Sequence, residues 1–235
     1  MPVEIQTTGE DEELMYSARQ AQKNDFWSGY ALYRPTYKES FFRRICEYHA
    51  EKSGTSWSTA HDVGAGHGIV SSTLADKFNH VIVSEPDKEH SEFSRQLLVE
   101  KSGRPESKFT FLQERIEESS VETGTVDLIT ACECMHFTNT VKAVDEFARQ
   151  LKPGGTLVMT LYTPPLILGN DRAQSIWKAI FDRFFEKSNA GPVFECACRI
   201  CTAAYNSIAI PPVHWEAVKR VYINASQGVM RKTPE

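Results

Sequence analysis

The stretch His61-Asp62-Val63-Gly64-Ala65-Gly66-His67-Gly68-Ile69-Val70 decides how the rest of the chain is read. Glycines stand at every second position, at 64, 66 and 68. A short apolar run carrying an acid, Asp62 and then Val63, leads in. A run from Ile69 to Phe78 that can form a helix leads out. The order is strand, glycine turn, helix. Glycine allows positive φ and puts no Cβ between chain and ligand. The turn therefore brings main-chain N–H groups and a helix N-terminus close to whatever lies above the strand. The dinucleotide fingerprint is spaced G-x-G-x-x-G. Here the third glycine comes one residue earlier, so the turn reads better as a nucleoside-and-amino-acid site than as a pyrophosphate site. Taken alone, the stretch is also compatible with a glycine-rich connection that binds nothing.

Working outward, strands alternate with helices. A second strand, His80–Ser84, ends in Glu85-Pro86-Asp87, and a helix suits Lys88 to Lys101. A third strand is expected over Lys108–Leu112 and a fourth over Val126–Ala131. A helix suits Thr140 to Leu151, Lys152-Pro-Gly-Gly155 is a turn, and Thr156–Tyr162 is a fifth strand. This rhythm implies βαβ units, a mainly parallel sheet and right-handed crossovers. The fold class is α/β, Rossmann-like and doubly wound, with helices on both faces. Upstream, Phe41, Phe42, Ile45 and Tyr48 at helical spacing predict a helix from about Tyr37 to Lys52, with Gly54 available to cap it. Residues 1–24 read as a polar tail and 25–163 as the cofactor-binding core. Residues 164–216 read as a helical cap and substrate region, with a helix over Ala173–Lys187. Residues 217–235 read as the end of a sixth strand, Trp215–Asn224, and a tail, all within one domain. With no clear seventh strand, the antiparallel end of the sheet is expected to be incomplete, and an uncovered edge invites a homodimer.

A length of 235 residues fits one large domain, or one domain plus a small cap. The net charge of −5 leaves no basic footprint for nucleic acid. No run of 18 or more apolar residues predicts a membrane span, and the polar start lacks the apolar core of a signal peptide. A cytoplasmic location is the expectation. The six cysteines then read as thiols rather than disulfides. Cys198 and Cys201 form a C-x-x-C beside Cys196, but no second ligand pair follows at zinc spacing, so no metal is expected. A redox pair is the remaining reading of that cluster.

In sheets of this kind the ligand lies outside the carboxyl ends of the strands. Polar residues fall at consecutive strand ends. Glu85 comes 21 residues after Gly64, the separation at which an acid accepts ribose hydroxyls in nucleotide-binding sheets. Gln113 and Glu114 follow the third strand. Cys132, Glu133 and His136 follow the fourth. The segment Asp25–Tyr37 is dense in aromatics and carries Arg34. It reads as a core-packing segment, or as a lid over a cationic ligand with Arg34 available to a carboxylate.

With these residues in place, the chain resembles the class I S-adenosylmethionine-dependent methyltransferases from roughly Tyr30 to Tyr162. The resemblance rests on Asp62–Gly68, on Glu85 and on the Leu151–Gly155 turn. More narrowly, Tyr33-Arg-Pro-Thr-Tyr37 and Asp127–His136 look like the fungal trans-aconitate methyltransferase group and its secondary-metabolism relatives. The resemblance implies S-adenosylmethionine as cofactor and S-adenosylhomocysteine as product. It also implies roles for matching residues. Gly64, Ala65, Gly66 and Gly68 would hold the methionine part through their backbone, as would position 67 despite its histidine. Asp62 would order that loop from beneath. Glu85 would take the ribose hydroxyls, with Pro86 and Asp87 beside the adenine and Gln113 and Glu114 along its edge. Ala131 and Cys132 would line the other side, and Tyr30 and Arg34 would close over the cofactor. Glu133 and His136 would face the acceptor as the catalytic pair.

A carboxylate acceptor is already ionised at neutral pH. A hydroxyl acceptor would benefit from a base, for which His136 is the candidate. The expected function is therefore O-methylation of a small molecule by in-line displacement. Two alternatives stay open. One is an enzyme of this fold that uses the bound sulfonium for an elimination or rearrangement without methyl transfer. The other is a non-catalytic regulatory subunit. For the substrate, Arg172 and Arg199 could bind an acid, and Trp177, Phe181 and Phe184 could line an apolar pocket.

Overall fold

The computed structural model describes residues 34–162, 166–188 and 192–222. Five strands form one sheet: β1 (Thr59–Val63), β2 (His80–Ser84), β3 (Phe109–Leu112), β4 (Val126–Cys132) and β5 (Leu151–Thr160). Their order is β3-β2-β1-β4-β5 and every pairing is parallel. The helices are α1 (Glu39–Ala50), α2 (Ile69–Leu74), α3 (Lys88–Arg95), α4 (Thr140–Gln150), α5 (Asp171–Ser188) and α6 (Pro192–Thr202). A wide helical turn, Gln96–Lys101, prolongs α3, so the single expected helix is formed in two parts. The polar tail, the aromatic segment up to residue 33 and Tyr30 lie outside the described residues.

The sheet is parallel because β1, β2 and β4 are each followed by a helix that carries the chain back across a face, while β3 reaches β4 through residues 113–125 without a helix. Both faces are covered as a result. All seven residues of β4 are buried. On one face Ala60, Val81, Val83 and Leu128 pack with Phe42 and Ile45 of α1 and Val70 and Leu74 of α2. On the other, Val63, Ile129 and Ala131 pack with Val144 and Phe147 of α4 and Cys196 and Ile200 of α6. Burial of such side chains contributes about 1.5–3 kcal/mol each. Asn139 caps α4 by accepting from the Lys142 amide at 3.2 Å, and Asp87 caps α3 by accepting from the His90 amide at 2.9 Å.

Two expectations are corrected. The Lys152–Gly155 turn does not precede β5 but lies inside it. Val126 pairs with Leu151 and Leu128 with Thr156, so β5 bulges by several residues between them. Lys152 holds the bulge, donating to Asp127 Oδ1 at 2.7 Å, while the other Asp127 oxygen accepts from the amides of Ser58 and Thr59 at 3.0 and 2.8 Å. The sixth strand expected over Trp215–Asn224 is not formed in its described part, residues 215–222. That stretch pairs with no strand, Ala217 has φ +52°, and Val218 and Val221 are exposed. It is fastened to α1 instead, where Tyr48 Oη donates to the Ala217 carbonyl at 2.5 Å and Lys219 meets Glu51 at 2.7 Å. Among the described residues β5 is paired on one side only.

The interior holds one histidine that is fully enclosed. His61 shares one ring nitrogen with Gln150 Oε1 at 2.7 Å and the other with Ser84 Oγ at 2.8 Å. Burial pushes its pKa down to about 4, against help from Gln150. The folded form thus refuses a proton that the unfolded chain accepts below the ordinary value of about 6.5, so stability is lost as pH is lowered from about 6.5 to about 4, by up to about 1.4 kcal/mol per unit. We expect the His61 ring to stay neutral in an NMR titration down to about pH 5, more than a unit below the ordinary histidine value. A ring that titrates near 6.5 would contradict the enclosure.

Candidate functional site

The carboxyl ends of β1 and β4 meet where strand order reverses, and the glycine loop leaves β1 at that point. Gly64 sits at φ +59°, and a Cβ there would lie 2.7 Å from Cys134 Cβ. Only glycine fits this close approach. Gly66 is also left-handed, φ +55°, but among the described residues a Cβ there would meet nothing within 4 Å. Among the described residues the loop therefore presses on the core at Gly64 and is uncovered at Gly66. Its register is set from β2, because the Ala65 amide donates to the Ser84 carbonyl at 3.0 Å.

Two acids hold this loop. Asp62, 1% exposed, accepts from Ser71 Oγ at 2.6 Å and from Thr130 Oγ1 at 2.7 Å. It joins β1, α2 and β4 under the glycines. Burial pushes its pKa up to about 6 against those two hydroxyl bonds. Glu85, fully buried at the end of β2, accepts from the Gly66 amide at 2.9 Å and the Asp87 amide at 3.2 Å. His90 Nδ1 lies 3.8 Å from the same carboxylate. The His67 side chain is packed edge-on against His90 and Phe93, with ring centroids 5.1 Å away in each case. Burial, His90 and Arg34 push its pKa down to about 4, so it is neutral at pH 7.

The remaining residues fall into two sets. Gln113 is exposed and donates to the Pro86 carbonyl at 3.4 Å, which places it beside the Glu85–Asp87 turn. Glu114 is turned into its own loop, accepting from Ser119 Oγ, the Ser120 amide and Ser120 Oγ. Its carboxylate is held by these local bonds. Ala131 and Cys132 are buried at the end of β4, and burial pushes the Cys132 thiol well above its ordinary range.

Glu133 follows with φ +61°, a conformation that costs a non-glycine residue about 1–2 kcal/mol. Two bonds hold it there. Its amide donates to the Thr160 carbonyl at 3.0 Å, and its Oε1 accepts from the Tyr162 amide at 2.5 Å. Burial pushes its carboxyl up to about 7, with the Tyr162 amide and Arg34 pulling the other way. Arg34 lies with its guanidinium carbon 5.7 Å from the centre of the Tyr162 ring. His136, on a short helical turn, Met135–Phe137, shares its Nδ1 with Tyr205 Oη at 2.9 Å.

Sequence reasoning missed several members of this set. Tyr37 and Thr160 lie beside Cys132 and Tyr205 beside His136; Thr160 and Tyr205 carry no motif, and Tyr37, the last residue of the Tyr33–Tyr37 stretch, was given no role. Ser71 and Thr130 were equally unmarked; their hydroxyls matter only because Asp62 lies between them. Trp177 and Phe181 contact each other edge-on along α5 at 4.7 Å, and Arg172 and Arg199 are exposed. Among the described residues no group of three or more His, Cys, Asp or Glu side chains could hold a metal, the Cys196–Cys201 cluster included. Nor is any helix there long and apolar enough to cross a membrane.

Residues 61–159 match the methyltransferase domain family. Among curated proteins the chain is 32% identical over 216 residues to methyltransferase cfoB of Aspergillus candidus, covering 88% of this chain and 66% of that protein. It is 30% identical over 220 residues to methyltransferase ptaI of Pestalotiopsis fici, covering 86% and 63%. The chain thus spans just under two thirds of the length of these fungal relatives. Among solved structures, a SAM dependent methyltransferase from Aquifex aeolicus aligns with a TM-score of 0.45 at 19% identity, covering 55% of this chain and 67% of that one. With its five parallel strands and a glycine loop held between two buried acids, the chain has a Rossmann-like fold whose residues 61–159 match the methyltransferase domain family, and its curated relatives are fungal methyltransferases.

Proposed function

We propose that this chain transfers a methyl group from S-adenosylmethionine to a carboxylate or hydroxyl oxygen of a small molecule of secondary metabolism. The observation that carries the reading is the bond from the Gly66 amide to the buried Glu85 carboxylate, at a loop position that no described residue covers. In this reading the backbone of Gly64–Gly68 holds the methionine part and Glu85 takes the ribose hydroxyls. Pro86, Asp87 and Gln113 flank the adenine, Ala131 and Cys132 form the opposite wall, and Arg34 closes over the top. Glu133 and His136 face the acceptor.

The bound sulfonium supplies a carbon already activated for displacement. The protein's share is alignment, which in favourable systems lowers a barrier by up to about 7–11 kcal/mol. A hydroxyl acceptor would pass its proton to a neighbouring base as the new O–C bond forms, and a carboxylate would need no such step. Calorimetric titration of the purified protein with S-adenosylmethionine and S-adenosylhomocysteine tests the site. We expect one micromolar site for each, and no binding by folded protein would overturn the reading. An acceptor product heavier by one methylene supports transfer; a product of unchanged mass would replace it with elimination or rearrangement.

A further inference from the structure

Tyr205 belongs to no motif, yet the fold drives it into the site. Helix α6 ends in two successive left-handed residues, Ala204 at φ +48° and Tyr205 at φ +60°. The chain reverses there, with the Tyr205 amide donating to the Ile200 carbonyl at 3.3 Å and the Ala204 amide to the Cys201 carbonyl at 2.8 Å. This is the hydrogen-bonded reversal that commonly closes a helix. It turns the phenol inward until the residue is 5% exposed, packed beside the Met135–Phe137 turn. Arg220 donates to the Tyr205 carbonyl at 3.2 Å and holds the reversal from outside. The phenol ends 2.9 Å from Nδ1 of His136.

We propose that Tyr205 is a positioning residue whose hydroxyl donates to Nδ1 of His136, fixing the ring as the tautomer that carries its proton on Nε2. The inference rests on the reading of His136 as a residue facing the acceptor. A neutral imidazole has one donor nitrogen and one acceptor nitrogen, and a bond made by one decides the other. A phenol O–H is a good donor, while its oxygen, conjugated with the ring, is a poor acceptor. An unprotonated imidazole nitrogen is a strong acceptor. Of the two ways to place one hydrogen between these atoms, O–H to N is therefore favoured. The phenol has its proton to give, because burial, Cys134 and Glu133 push its ionisation well above the ordinary range.

His136 so held is a donor rather than a base. Its Nδ1 is occupied and its Nε2 already carries hydrogen. Of the pair beside the acceptor, Glu133 is then the group able to take a proton, and its carboxyl titrating near 7 suits that work. The two roles are set apart by environment, as acid and base pairs commonly are. His136 would hydrogen-bond an acceptor oxygen and orient it. Glu133 would receive the proton of a hydroxyl acceptor, or stand protonated beside a carboxylate.

The test is long-range proton–nitrogen NMR of the histidine rings in nitrogen-labelled protein at about pH 8, above the ordinary histidine value of about 6.5. The His136 signals are assigned by their loss in His136→Gln. We expect a protonated Nε2 and a bare, hydrogen-bonded Nδ1. In Tyr205→Phe, Nδ1 should move to the position of an unbonded nitrogen and the ring should become a mixture of tautomers. With 3-fluorotyrosine placed at 205, which keeps the shape and sharpens the donor, Nδ1 should move the opposite way. A wild-type ring protonated on Nδ1, a wild-type mixture, or His136 signals that ignore both substitutions would overturn the proposal. The spectrum needs no substrate, so it decides the Tyr205–His136 bond even where the cofactor titration fails.

Discussion

Gly64→Ala should cost about 2–5 kcal/mol of folding stability and abolish S-adenosylhomocysteine binding. Two independent effects add. A left-handed backbone costs an alanine about 1–2 kcal/mol. The new Cβ would also fall 2.7 Å from Cys134 Cβ and 3.1 Å from its Sγ, where the Cys134 thiol bonds the Val63 carbonyl at 3.4 Å. Overpacking of that kind costs about 1–3 kcal/mol. Neither neighbour can yield, because the Cβ atoms belong to two chain segments fixed by adjacent strands. Gly103→Ala is the control. It shares the positive φ, +69°, but has nothing within 4 Å of the added methyl. Urea denaturation should place it about 1–2 kcal/mol below wild type, the backbone cost alone. Equal losses in the two variants would show that the contact with Cys134 is not restrictive.

Glu85→Ala should weaken S-adenosylhomocysteine at least about 100-fold, close to 3 kcal/mol. The carboxylate accepts from the Gly66 and Asp87 amides, and hydrogen bonds to a charged group contribute about 1.5–3 kcal/mol each. Its removal takes the acceptor from the part-buried Gly66 amide and the buried Asp87 amide, and with it the acid proposed for the ribose hydroxyls. Glu85→Gln keeps one acceptor oxygen but turns an NH₂ toward a donor, so its affinity should fall between the two. Calorimetry with a folded variant decides the matter. A change under threefold in Glu85→Ala would remove Glu85 from the site.

The strands were legible because each is a short apolar run closed by a polar residue, and the β2 boundaries, His80–Ser84, are those read from the chain alone. The Lys152–Gly155 bulge was not. Pro153 and Gly154 announce a turn in any context, and only the Asp127–Lys152 bond shows that pairing has already begun below it. The apolar residues near Val218 and Val221 resembled a strand, but alternation has no meaning without a neighbouring strand to pair with. Around the glycine loop, the closeness of Asp62 and Glu85 to the turn was readable, since both stand at the ends of strands next to it. The local bonds of Glu114 to Ser119 and Ser120 were not, because no spacing rule marks a carboxylate that caps its own loop. Tyr205 reaches His136 across 69 residues of sequence, a convergence that no spacing rule encodes.

The strand order has a consequence for how the protein is made. β1, β2 and β3 are neighbours in space in the order of their synthesis, but β4 must return to the far side of β1. The Asp62–Thr130 bond spans 68 residues and cannot exist until that return is complete. Non-local pairing of this kind forms late, since the entropy of closing a long loop must be overcome before its contacts count. The glycine loop can be translated early, yet the wall opposite it arrives only with β4 and the residues beyond. A nascent chain that has passed the glycine motif would hold the sequence signature of the site without a site. If the cofactor binds where we propose, its capture marks the completion of the sheet rather than its start.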